Sequence, residues 1–181
     1  RIETHLDDAD VTATFLRASF FMENLTEVHG EEIRDRGEIV VPAGNGETSF
    51  VAADDIAAVA VAALTDSRYA GQAYDVTGPE ALTYHEVAAL FTEALGREVR
   101  YTDPSLVEFV RHSRRLGRDW SFIGAMTVVY TTARLGIADP VTDDVQQVLG
   151  RPPTSLREWL AANAGTFGVA PDAVAVTGET A

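Results

Sequence analysis

The side chains that could carry chemistry in this sequence are scattered and do not match known catalytic spacings. Ser19 lacks the flanking glycines of a Gly-x-Ser-x-Gly nucleophile elbow, which argues against a serine hydrolase. The histidines lack the spacing of metal ligands, so we expect no metal site and interpret them as solvated or helix-capping residues. They stand at His5, His29, His85 and His112. Neither a Gly-x-Gly-x-x-Gly loop nor a Walker loop occurs.

Two residue types that often act in catalysis are missing from the sequence. There is no cysteine, and each of the 14 residues counted as lysine or arginine is an arginine. The composition therefore excludes thiolate nucleophiles, cysteine metal sites, Schiff-base chemistry and a Tyr-x-x-x-Lys proton relay. We can name no proton donor from the sequence, and Tyr84 and Tyr101 stay unassigned.

Arg111, Arg114, Arg115 and Arg118 form one basic cluster in an otherwise acidic sequence. The cluster could bind an anionic substrate or the 2′-phosphate of a nucleotide. The alternative, which we favour, is that these arginines pair with surrounding carboxylates.

Acidic residues outnumber basic ones by 28 to 14, which gives a formal net charge of -14. A surface of this sign repels phosphate backbones and anionic lipid, so we expect no nucleic-acid or membrane partner. The acid excess without lysine favours a halophilic protein adapted to concentrated salt, and the alternative is an arginine-rich codon usage. No signal peptide and no apolar stretch of about 18 residues occurs, so we expect a cytoplasmic protein.

The elements that must position these residues alternate between strands and helices in the first half of the chain. Residues 2–6 are typical of a helix end, and the segment running to about residue 33 is predicted as helical after the first strand. Gly44-Asn45-Gly46 predicts a hairpin turn, and Asp54 predicts the N-cap of the next helix. The predicted strands span residues 11–16, 37–41, 48–51, 73–77 and 99–101.

The second half of the chain is predicted to be mainly helical. Thr83 with Glu86 and Ser155 with Glu158 have the spacing of capping boxes, which mark helix starts. Asp103-Pro104 predicts a further start. Alternating strands and helices followed by helices favour a parallel α/β architecture with a helix-rich lobe against it.

The stretch Thr-Phe-Leu-Arg-Ala-Ser-Phe-Phe-Met-Glu-Asn at 14–24 resembles the Thr-x-Leu-Arg-Pro-x-x-Phe-Met-Glu-Asn stretch of NmrA-like proteins, which are atypical short-chain dehydrogenase/reductase relatives. The resemblance covers nearly the whole chain and continues through 41–46, 49–57, 77–83, 94–97 and 145–159. It implies the C-terminal part of a Rossmann-type parallel sheet that binds NAD(P). We expect residues 1–78 to be its closing half, 79–164 the helix-rich substrate-side lobe and 165–181 a flexible tail.

Carried over by position, the resemblance implies two groups of site residues. The nicotinamide end of the cofactor would contact Arg17, Ala18, Ser19 and Phe20. The substrate would contact Phe21, Asn24 and Phe50. The alternative for the three phenylalanines is plain core packing. Ala18 stands where the family usually has proline, and the family's glycine-rich loop is not in this sequence.

The resemblance implies an NAD(P)H-dependent oxidoreductase that acts on a small carbonyl or quinone-like molecule. The alternatives are a non-enzymatic NAD(P) sensor and a sugar-nucleotide epimerase-like protein. We expect the chain by itself to bind dinucleotide very weakly or not at all. We also expect uncovered sheet edges to promote association into a homo-oligomer.

Overall fold

The computed structural model of the protein describes residue 3, residues 12–138 and residues 140–168. The predicted helix end at 2–6, apart from Glu3, and residues 169–181 of the predicted tail lie outside the described residues. The first part of that predicted tail is structured. A short 3-10 helix spans Ala164–Phe167, and the ring of Phe167 is buried edge-on against Phe91 with a 5.0 Å centroid distance.

The described residues form seven strands and eight α-helices. The strands are β1 (Phe15–Ala18), β2 (Phe20–Phe21), β3 (Glu38–Val40), β4 (Glu47–Val51), β5 (Ala73–Val76), β6 (Ala81–Thr83) and β7 (Arg100–Thr102). The helices are α1 (Asn24–Glu27), α2 (Gly30–Arg36), α3 (Ala53–Thr65), α4 (Tyr84–Leu95), α5 (Leu106–Arg115), α6 (Trp120–Arg134), α7 (Asp144–Leu149) and α8 (Leu156–Asn163).

Parallel pairing dominates the strands, which confirms the predicted α/β class. β1 pairs with β5, β2 with β4, and β3 with β7, all in parallel, while β6 runs antiparallel to β4. Ala18, the last residue of β1, lies opposite Val76, the last residue of β5. The carboxyl ends of these two strands therefore meet at one edge.

The predicted hairpin around Gly44-Asn45-Gly46 is wrong, although the turn itself is present. The flanking strands do not pair with each other, because β3 pairs with β7 while β4 pairs with β2 and β6. The amide of Gly46 donates to the carbonyl of Ala43, and a Cβ atom at Gly46 would lie 2.0 Å from the carbonyl oxygen of Ala133. The glycine thus permits close approach of the turn to the end of α6.

Two helix starts differ from the prediction, one of them because the acidic side chain serves a tertiary contact. The Asp103 carboxylate accepts hydrogen bonds from the Gly44 amide at 3.0 Å and from Arg134 at 3.2 Å, and α5 is instead capped by a Ser105–Glu108 capping box. α3 begins at Ala53, so Asp54 lies in the first turn and is not the N-cap. The predicted boxes at α4 and α8 are confirmed.

The predicted continuous helix to residue 33 is interrupted. β2, α1 and α2 occupy this segment, and α2 ends at Gly37 in the left-handed conformation. Phe20 and Phe21 therefore lie on a strand, where consecutive side chains point to opposite faces.

Within the part of the chain that the structure describes, the core consists of two apolar clusters. The smaller cluster lies around β5, α3 and α7, and the larger one lies mainly under α4, α6 and α8. The larger cluster includes Met22, Leu25 and Ile33 together with Tyr84, Phe91 and Leu160 from beyond residue 78. The domain boundary at 78 stays a prediction, since packing continues across it.

Candidate functional site

A cavity of about 450 Å³ opens where the carboxyl ends of β1 and β5 meet. Ligands of parallel α/β sheets bind at this position relative to the strands, and the volume is in the range of small-molecule sites. The cavity lies between these strand ends, β4 and the last turns of α6. Its lining residues are Arg17, Ala18, Ser19, Phe20, Thr48, Ser49, Asp75, Thr77, Tyr84, Val129, Tyr130, Ala133, Ile137, Ala138 and Pro140.

The four residues assigned to the nicotinamide end all line this cavity. Arg17 and Ala18 end β1, Ser19 connects to β2, and Phe20 begins β2. The guanidinium of Arg17 pairs with two carboxylates, with Nη2 2.6 Å from Glu3 and Nη1 3.7 Å from Asp75. These acidic partners, Glu3 foremost, raise the pKa of Arg17 above its usual value. The sequence stretch 17–20 therefore forms one continuous wall.

The three residues assigned to the substrate lie elsewhere. Phe21 is 40% exposed and faces away from Phe20 because the two alternate on β2. Asn24 is the first residue of α1. Phe50 is 1% exposed and packs its ring edge-on against Phe20 at 5.6 Å, behind the wall. The structure thus places Phe50 in the core, where it supports Phe20.

Sequence reasoning missed the opposite side of the cavity. Thr48 and Ser49 come from β4, Tyr84 from the start of α4, and Tyr130 from α6. The one local signal was a pair of adjacent hydroxyl residues directly before the buried apolar pair Phe50-Val51 in the same strand. Tyr130 looked like a core residue at helical spacing, and its position at the cavity depends on packing between distant segments.

Three buried hydroxyls in the cavity lining have no hydrogen-bond partner among the described residues. They belong to Ser19, Thr48 and Ser49. A buried polar atom without a partner costs about 1–3 kcal/mol, so native proteins rarely retain one without a reason. The lining is mainly apolar apart from Arg17, Asp75 and Thr77, and unpaired hydroxyls on residues beside it fit a ligand with polar groups, such as the carboxamide of a nicotinamide ring.

Replacing Ser49 with alanine should separate this ligand role from a structural role. We expect Ser49→Ala to leave the free energy of unfolding unchanged or to raise it by about 1 kcal/mol, because the unpaired hydroxyl is removed. Ser155→Ala, which removes a hydroxyl that caps α8, should lower it by about 1 kcal/mol. Urea unfolding measures both variants, and a clear destabilisation by Ser49→Ala would contradict the assignment.

The two cavity tyrosines are held in their neutral form. Burial, followed by the neighbouring phenol of Tyr130, raises the pKa of Tyr84 well above its ordinary value. Burial also raises the pKa of Tyr130, with the Glu32 carboxylate adding to the rise and Arg118 opposing it. Their rings are 6.2 Å apart and nearly perpendicular. Both phenols therefore keep their protons at neutral pH.

The Glu23 carboxylate connects three segments of the chain, a role that the sequence did not indicate. Its carboxylate accepts the amide of Ala53, at the first residue of α3, at 3.1 Å from each oxygen. The same carboxylate accepts the indole N–H of Trp159 at 3.1 Å. Glu23 thus connects the segment after β2 to α3 and α8, and the negative charge at a helix N-terminus is favourable.

Among the described residues, the predicted pairing of the arginine cluster with carboxylates occurs only as a longer-range effect of Arg111 on Glu108, which adds to the Ser105 hydrogen bonds that lower the pKa of Glu108. No carboxylate there lies within 4.0 Å of the guanidinium groups of Arg111, Arg114, Arg115 or Arg118. Arg114 and Arg118 instead stack on the rings of Trp120 and Phe122, each with a 5.0 Å distance to the centroid. The cluster is separate from the lining of the cavity.

The prediction that the histidines are solvated or helix-capping residues is wrong for His29. Its side chain is buried, is hydrogen-bonded to Tyr130 and caps no helix. Within residues 12–138 and 140–168, with residue 3, no group of three metal-binding side chains could hold an ion. In the same part of the chain, no helix has the length and apolar character needed to cross a bilayer.

The parallel strand pairs, the flanking helices and a cavity at the strand ends define a Rossmann-type α/β protein. The chain belongs to the NmrA-like family, whose sequence profile matches residues 1–160. It is 39% identical over 168 residues to the NAD(P)H azoreductase of Xenophilus azovorans, covering 93% of this chain and 58% of the relative. It is 37% identical to the uncharacterized oxidoreductase YesF of Bacillus subtilis, covering 83% of this chain and 53% of the relative.

Among solved structures, the fold is similar to that of the NADPH-dependent quinone oxidoreductase QOR2 from Escherichia coli. The TM-score is 0.82 at 23% sequence identity, over 88% of this chain and 58% of that structure. The chain therefore spans just over half the length of the relatives it matches.

Proposed function

We propose that the chain forms the nicotinamide- and substrate-binding part of an NAD(P)H-dependent oxidoreductase that reduces small carbonyl, quinone or azo compounds. The observation that carries the proposal is the cavity at the ends of β1 and β5, with its unpaired hydroxyls. The family relatives support the same chemistry, since one is named an NAD(P)H azoreductase and another an oxidoreductase.

The cavity residues fit a flat aromatic ring with one polar substituent. Phe20 contributes aromatic surface, and the buried rings of Tyr84 and Tyr130 lie in the same lining. Ser19, Thr48 and Ser49 contribute hydroxyls that can each donate and accept. These residues would hold a nicotinamide ring, which supplies hydride when it is reduced. The wall formed by residues 17–20 would orient the ring, and the opposite side would hold the acceptor in contact with it.

The apolar lining also favours acceptors without charge. Val129, Ala133 and Ile137 contribute aliphatic surface from α6 and the segment after it. A quinone, an aromatic carbonyl or an azo dye can bury its rings against such a surface, whereas an anionic sugar nucleotide would meet no cation among the described lining residues except Arg17. This difference distinguishes the reductase from the epimerase alternative.

The test is NADPH and NADH oxidation by the protein expressed from its complete reading frame. We expect turnover with a panel of quinones and azo dyes, and no epimerisation of sugar nucleotides. Tight cofactor binding in calorimetry without turnover on any acceptor would contradict the reductase and favour the sensor. The chain from Arg1 to Ala181 alone serves as a comparison, because we expect it to bind dinucleotide very weakly or not at all.

A further inference from the structure

The lining of the cavity includes one large aliphatic side chain that is exposed to solvent, that of Ile137. Its exposed fraction is 62%, although it belongs to the lining. The aliphatic residues Val129 and Ala133 of α6 line the same side and are much less exposed. Ile137 therefore lies where the lining meets solvent, at the mouth of the cavity. Pro140 belongs to the same lining and is also exposed.

The backbone around Ile137 is fixed on both sides. Its amide donates to the carbonyl of Thr132 in the last turn of α6 at 2.9 Å. The carbonyl of the next residue, Ala138, accepts the amide of Ser49 at 3.1 Å, and Ala138 packs against the larger core cluster. A β-branched side chain also has few rotamers, so little conformational entropy is lost when a ligand covers it. Single exposed apolar residues are common on proteins, but this one is held in place beside a cavity.

The charged groups of the described lining lie on other elements. They are Arg17 on β1 and Asp75 on β5, which approach each other to 3.7 Å. The described lining residues from α6 and the segment after it carry no charge. The side of the mouth formed by Ile137 and Pro140 therefore suits an apolar part of a ligand.

The volume of the cavity determines which part of a ligand can reach Ile137. A cavity of about 150 Å³ is large enough to bind one benzene ring, and this cavity has about 450 Å³. A nicotinamide ring with its carboxamide and the reacting ring of an acceptor would occupy most of that space. A second ring on the acceptor would extend to the mouth, where Ile137 and Pro140 offer apolar surface.

We propose that Ile137, together with Pro140, binds the second ring of an extended aromatic acceptor and makes the protein prefer two-ring acceptors over single-ring ones. This inference rests on the proposed reductase function and narrows its substrate class. The reacting ring would lie inside the cavity, and the added ring would cover the Ile137 side chain. Burial of this aliphatic surface stabilises the bound acceptor before and during hydride transfer alike, so the preference should appear in KM more than in kcat.

The experiment compares para-benzoquinone with phenyl-para-benzoquinone, which share the reacting ring, in the protein from the complete reading frame. We expect a higher kcat/KM with the phenyl compound. Ile137→Asn should lower kcat/KM for that compound about tenfold, which corresponds to about 1.4 kcal/mol, mainly by raising KM. The kcat/KM for para-benzoquinone and the NADPH affinity should change less than about twofold. Ile137→Leu should keep the preference.

Leu135→Asn is the matched control. Leu135 is 67% exposed, directly follows α6 and is not part of the cavity lining. This control should keep the wild-type preference for the phenyl compound. An unchanged preference in Ile137→Asn, an equal loss for both quinones, or the same loss in Leu135→Asn would overturn the inference.

A binding measurement without turnover keeps this test separate from the proposed function. No hydride can be transferred when the protein is saturated with NADP⁺. Calorimetry should then show tighter binding of phenyl-para-benzoquinone than of para-benzoquinone, and Ile137→Asn should abolish the difference. Equal binding of the two quinones by the wild-type protein would overturn the inference. Absence of NADPH oxidation with every acceptor would instead contradict the proposed reductase function, so the two failures are distinguishable.

Discussion

Asp55→Ala is expected to lower the free energy of unfolding by about 3 kcal/mol, the lower end of the range for breaking a buried ion pair. Asp55 is fully buried. Its carboxylate accepts a hydrogen bond from Arg151 Nη2 at 2.7 Å and another from the Thr154 amide at 2.6 Å. The lower end applies because the side chain of Arg151 is half-exposed and can be solvated when its partner is lost. Urea denaturation monitored by circular dichroism measures the effect.

Asp54→Ala is the matched control for this prediction. Asp54 is the preceding residue on α3, but its side chain is exposed. Its loss should cost only about 0.3–1 kcal/mol, from the weaker interaction with the helix N-terminus. Similar destabilisation by the two alanine variants would show that the contact between α3 and the 151–154 segment contributes little.

Ala18→Trp is expected to weaken NADPH binding at least about 100-fold, which corresponds to about 2.8 kcal/mol. Ala18 ends β1 and lines the cavity, so an indole there would occupy the space assigned to the nicotinamide ring. Because Ala18 is exposed, the free energy of unfolding should change by less than about 1 kcal/mol. Calorimetric titration of the protein from the complete reading frame with NADPH gives the affinity.

Ala161→Trp controls for the added bulk and apolar surface of this substitution. Ala161 is exposed on α8 and is not part of the cavity lining. We expect wild-type NADPH affinity in this control. Unchanged affinity in Ala18→Trp would show that the nicotinamide ring binds elsewhere.

Local signals in the sequence predicted local structure well. The capping boxes at Thr83 and Ser155 mark true helix starts because the serine or threonine and the glutamate satisfy each other within one turn. The assignment of residues 17–20 to one wall comes from the family resemblance of a continuous stretch and not from a local signal. Asp103 and Asp54 misled the prediction because each has cap chemistry but is used or placed differently by the tertiary structure.

Features assembled from distant segments could not be predicted in this way. The partner of β3 is β7, about 60 residues later, and no turn chemistry near Gly44 encodes that choice. The opposite side of the cavity combines β4, α4 and α6. His29 is hydrogen-bonded to Tyr130, which is 101 positions later in the chain, so the burial of His29 could not be predicted from the residues next to it in sequence. Tertiary packing decides each of these contacts.

A crystal structure of the protein from the complete reading frame, grown with NADPH, tests the central claim most directly. We predict density for the nicotinamide ring in the cavity, in contact with residues 17–20 and with its carboxamide bonded to the hydroxyls of Ser19 or Ser49. A bound dinucleotide whose nicotinamide ring lies away from this cavity, with the three hydroxyls still unpaired, would contradict the account.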